Sequence, residues 1–110
     1  MTEQTDTPVL DLLAGMNLAA IEAADLDAET TMLVRIAALV AVDAPPASYL
    51  MNLSIAGEAG VDEEQVRGVL MAIAPIVGTA RVASAMGKIV RALGLALELI
   101  ELEEEEAAQA

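Results

Sequence analysis

Three observations in this 110-residue chain predict an all-α fold of about five helices. Alternation of apolar and polar residues is nowhere sustained, and Ala and Leu dominate, which argues against strands. Apolar residues instead recur at mixed three- and four-residue steps. Helix-start residues (Asp27, Asp43, Asp62) stand before successive apolar runs, and Gly60 and Gly78 punctuate their ends.

Residues 1–7 hold too few apolar groups to offset ordering entropy and are expected to fray. Pro8 suits a first helical position. From there "PVLDLLAGMNLAAIEAAD" places Leu10, Leu13, Met16, Leu18 and Ile21 at helical steps, predicting a first helix to about Ala24. Asp27 is a good N-cap for a second helix, "AETTMLVRIAALVAV", with a stripe of Leu33, Ile36, Ala37 and Val40. Its one charged interior residue, Arg35, is expected to snorkel or pair with an acid, the other reading being a ligand-facing role.

Asp43 is expected to cap the third helix, with Pro45 and Pro46 in its first turn and Gly60 just past its end. The fourth start is the clearest signal in the chain: Asp62 and Gln65 have capping-box spacing, and Val61 and Val66 that of a hydrophobic staple. This helix should stop or kink at Pro75. A fifth begins near Gly78 and Thr79, with Val82, Met86, Ile89, Val90 and Leu93 on one face and Gly94 as a candidate break.

The expected domain plan is a flexible stretch over 1–7, one helical domain over 8–100 and an acidic tail over 101–110. A chain this short has a poor ratio of interior to surface, yet 56% of its residues are hydrophobic, above the roughly 45–50% of an average domain. The excess is expected to cover a second copy, giving a homo-oligomer. Arginines and Lys88 interrupt every apolar run, so no segment reaches the roughly 18–20 residues of a membrane span. The acidic start "MTEQTDTPVLDLL" does not read as a secretory signal, and the cytoplasm is the default expectation. A net charge of −13 repels phosphate backbones, so no nucleic-acid partner is expected.

Taken in order, "LDAETTMLVRIAALVAV" and "AGEAGVDEEQVRGVLMAIAPIVGTARV" resemble the carboxymuconolactone decarboxylase family, which includes the alkyl hydroperoxide reductase D-like proteins. The shared parts are the Asp-led helix at Asp27, the Ala56-x-x-x-Gly60 ending, the cap at Asp62 with Glu64 and Gln65, and Gly78. The resemblance spans residues 27–94 and implies an oligomeric helical bundle, as a dimer, trimer or hexamer. It also implies a redox motif, C-x-x-C-x-x-x-H, in the third helix. Counting back from Gly60, that motif falls on Pro45, Ser48 and Asn52.

These three positions share one helical face, and none offers a thiolate or an imidazole. Peroxide reduction by a dithiol needs an attacking thiolate and a resolving thiol. Since the chain contains no cysteine, thiol peroxidase activity is excluded. The glutamate that redox members use as a proton relay falls near Met32 or Leu33, so that role is lost too. Decarboxylation needs a group to protonate carbon, and with no histidine present the remaining candidates are Arg35, Tyr49, Glu58, Arg81 and Lys88.

Ser48 has only Lys88 as a plausible non-carboxylate base, and a packing or backbone-bonding serine is the simpler reading. Tyr49 could line a small cavity with Met51, Asn52 and Met71, or serve packing or a subunit interface. Without Cys or His, no metal site and no cofactor are expected. The glutamates of the tail lack a calcium loop and read as solvated.

The expected function is a non-peroxidase oligomeric binding or structural module. The competing expectation is a decarboxylase or lyase acting on a small carboxylate with non-Cys, non-His residues in a pocket between subunits. An Arg35 or Arg81 cleft meeting Glu58 would favour it. A third class is an acidic adaptor that docks a basic partner through the tail.

Overall fold

The computed structural model describes residues 6–109, excluding the side chains of 95, 96 and 99. Among the described residues there are five helices and no strand: α1 (Pro8–Ala23), α2 (Ala28–Ala41), α3 (Pro46–Glu58), α4 (Glu63–Val77) and α5 (Thr79–Gln109). The expected fraying of 1–7 falls, for residues 1–5, outside the described residues.

Local chemistry accounts for most boundaries. Asp27 accepts from the Thr30 backbone N–H at 2.7 Å, closing the start of α2. At α4 the capping box is complete, since Asp62 Oδ1 accepts from Gln65 N–H and Gln65 Oε1 accepts from Asp62 N–H, both at 2.9 Å. Val61 and Val66 pack into one apolar cluster behind that cap, as a staple requires. Gly60 and Gly78 both have φ +91°, where a side chain would be strained.

Four expectations are corrected. Asp43 does not cap α3: it has φ +54° and turns its carboxylate to α5, while Pro45 occupies the cap position. The reason is charge, because Lys88 Nζ donates to Asp43 Oδ1 at 2.8 Å and Ser84 Oγ donates at 2.7 Å. Pro75 does not stop α4, which runs two residues further to Val77. Gly94 does not break α5, which continues through the acidic residues to Gln109. The inner face of α5 consists of Val82, Ala85, Ile89 and Ala92, while Met86, Val90 and Leu93 are exposed. Alanines meet the neighbouring helices here because α5 lies close against α3 and α4.

The core has two connected parts. Val40, Ala44, Tyr49, Leu70, Ala85 and Ala92 form one; Met32, Ile36, Ala56 and Val61 form the other, with Leu53 packed against both. Helix α2 contributes to both, as its apolar circumference suggests, and packs on α3 and α4. Helix α1 buries none of its side chains completely, so its expected stripe of Leu10, Leu13, Met16 and Leu18 stays exposed. The radius of gyration is 16.0 Å, against about 13 Å for a compact chain of this length, because α5 outruns the bundle.

Candidate functional site

Of the three positions to which the resemblance assigns the redox motif, Ser48 and Asn52 sit where α1, α2 and α3 converge. Their helical frame is intact: Pro46 opens α3 at its first position, and Ser48 and Asn52 follow one turn apart. Asn52 is buried, and its Nδ2 donates to the Ser48 carbonyl at 2.8 Å. This leaves Asn52 Oδ1 to accept from Arg35 Nε of α2 at 3.0 Å. On the other side, Arg35 Nη2 donates to Asn17 Oδ1 of α1. Asn17 is itself anchored, its Nδ2 donating to the Leu13 carbonyl at 3.1 Å.

The guanidinium therefore bridges three helices by way of two neutral amide oxygens. This corrects the expectation that Arg35 snorkels or pairs with an acid. A cleft of about 520 Å³ opens over the network, lined by Leu10, Leu13, Asn17, Arg35, Met51 and Asn52, with Asp11 and Ser48 among the remaining lining residues. Arginine carries five N–H donors in a planar fork. The two bonds to asparagine use part of that set, and the rest suit a carboxylate.

The other candidates are not brought to this cleft. Glu58 is exposed at the end of α3 and meets neither arginine. Arg81 donates to the Ala41 carbonyl and Lys88 is engaged by Asp43, so neither serves as a base for Ser48. Pro45 is exposed and does not line the cleft. Met51 lines it, whereas Met71 stands exposed on α4.

Tyr49 is wholly buried in the core, and its hydroxyl has no hydrogen-bond partner among the described residues. Burial, with a smaller contribution from the Asp43 charge, raises its pKa above the ordinary tyrosine value. A neutral phenol locked in apolar packing is a core residue here, and the cleft that Met51 and Asn52 line does not take it in. Asp43 moves the other way: the hydrogen bond from Lys88, then that from Ser84, lowers its pKa below the ordinary carboxylate value.

Asn17 and Asp11 were missed in the sequence, because a single asparagine in "LLAGMNLAAI" reads as a surface residue on an apolar helix. The signal available was its interruption of the apolar stripe, which becomes informative only once Arg35 has a place. Among the described residues no cluster of three His, Cys, Asp or Glu side chains is arranged to hold a metal, and no helix is long and apolar enough to cross a membrane.

The sequence model of the carboxymuconolactone decarboxylase family matches residues 7–90, which takes in α1 through most of the bundled part of α5. No curated protein and no solved structure matches the chain.

Proposed function

This chain belongs to the carboxymuconolactone decarboxylase family, and from that premise we propose that it is a cytoplasmic, non-peroxidase, oligomeric binding module whose α1–α2–α3 cleft takes a small carboxylate. The observation that carries this reading is the Arg35 guanidinium, held by Asn52 and Asn17 at the mouth of the cleft. Where redox members have a histidine for proton transfer, this chain has an asparagine that orients an arginine. The position has changed from moving protons to presenting a fixed charge.

Titration of the full chain with a panel of small mono- and dicarboxylates, followed by amide chemical shifts, tests the proposal. Saturable shifts confined to Asn17, Arg35, Ser48 and Asn52 are expected, and Arg35→Gln should abolish them. Shifts that persist in Arg35→Gln, or none with any carboxylate, would sink the reading. A dithiol-dependent peroxide assay on the same material should show no turnover.

A second reading, decarboxylation of such a ligand, is favoured only by the Asp11 carboxylate among the lining residues. It requires carbon dioxide release that Asp11→Asn eliminates while carboxylate binding survives.

A further inference from the structure

Helix α5 turns Val82, Ala85, Ile89 and Ala92 toward its own bundle. A second row of apolar side chains follows this inner row one residue later, and so lies about 100° around the axis. It consists of Met86, Val90, Leu93, Leu97 and Ile100, at steps of four, three, four and three. That is the repeat of a two-helix seam. All five are solvent-exposed, at 56%, 69%, 49%, 61% and 50% respectively.

Two further features say what covers this seam. Gly87 and Gly94 flank it seven residues apart in the interior of a helix, where glycine is a poor choice. A Cβ at either position would meet nothing within 4 Å, so packing within the protomer does not demand glycine there. A second helix approaching closely would.

Charge supplies the orientation. From residue 79 to 97, α5 carries Arg81, Lys88 and Arg91 and no acid; from 98 to 109 it carries Glu98, Glu101, Glu103, Glu104, Glu105 and Glu106 and no base. This is the reverse of what a helix dipole favours, and Glu101 with Glu105 adds like-charge repulsion one turn apart. A parallel second copy would stack acid on acid. An antiparallel copy sets each acidic end beside the other's basic half.

The geometry points to an antiparallel homodimer formed through α5, with Val90 opposite Ile100 of the second copy and Leu93 opposite its Leu97. In that register the second copy's glutamates arrive beside Arg67, which lines a largely apolar groove with Met86, Val90 and the acidic Glu63. Arg67 and Arg91 have no hydrogen-bond or ion-pair partner among the described residues, and both become engaged. The dimer rests on the oligomeric part of the proposed function and not on its carboxylate cleft: a monomer would remove that part and leave ligand binding at Arg35 to its own test.

Sedimentation equilibrium of the full chain should give twice the 11.3 kDa protomer mass. The double variant Leu97→Glu, Ile100→Glu, changed only at exposed positions, should retain its helical circular dichroism and sediment at the single-chain mass. Because the chain lacks cysteine, orientation can be read by oxidative cross-linking. A mixture of Val90→Cys and Ile100→Cys chains should form a disulfide-linked dimer, and Val90→Cys alone should not. A wild-type monomer, which would leave the seam to a different protein, overturns the proposal. So does an assembly unchanged by the double variant, or efficient self-linkage of Val90→Cys, which would mean a parallel pair.

Discussion

Arg35 Nε donates to Asn52 Oδ1 at 3.0 Å, tying α2 to α3 through one charged hydrogen bond to a buried amide. A bond of this kind contributes about 1.5–3 kcal/mol when one partner is charged. Asn52→Ala and Arg35→Gln should each lower the unfolding free energy, and the two losses should not add. A double-mutant cycle by urea denaturation is expected to give a coupling of about 1–3 kcal/mol. Additive losses would show that the bond carries no stabilisation.

Tyr49 makes the opposite case, since its buried hydroxyl lacks a partner among the described residues. Leaving such a group unpaired costs about 1–3 kcal/mol, while the ring contributes packing. Tyr49→Phe keeps the ring and should stabilise the protein by about that amount. The raised phenol pKa adds a signature: the unfolded chain ionises first, so the wild type should lose stability above about pH 10. Thermal melts of the two proteins should diverge as pH rises through that range.

The lowered pKa of Asp43 gives a dependence at the acid end. A carboxylate whose folded pKa lies below its unfolded value of 3.8 contributes stability above that value and loses it as pH falls through the folded pKa. Asp43→Asn should therefore be less stable than wild type near neutrality, and the gap should close below about pH 4. A gap that is constant with pH would remove the Lys88–Asp43 pair from the account.

Gly78 joins α4 to α5 at φ +91° and ψ 156°, a region essentially reserved for glycine and costing other residues about 1–3 kcal/mol. Gly78→Ala should lose that much in denaturant titration even though its Cβ has open space. An unchanged midpoint would mean the junction relaxes freely.

Elements whose information lies within one turn of chain were legible in the sequence. The caps at Asp27 and Asp62, the glycine after α3 and the absence of strands among the described residues all depend on neighbours a few residues away. Positions that depend on a distant charge were not. Asp43 has the residue type and location of an N-cap, but Lys88, forty-five residues on, offered its carboxylate a stronger bond. The inner face of α5 was misread because larger side chains beside the alanines gave the more conspicuous stripe, whereas close helix packing selects Ala85 and Ala92.

The amino-acid sequence alone decided which reactive groups are on hand: with no cysteine and no histidine, these 110 residues carry neither a thiolate nor an imidazole. It also decided helix content, since caps and periodicity act locally. Only the tertiary structure decided that Arg35 would meet Asn52 and Asn17 and that Tyr49 would be sealed in the core. Those outcomes depend on how three helices cross, and a crossing is set by packing among residues far apart in the chain.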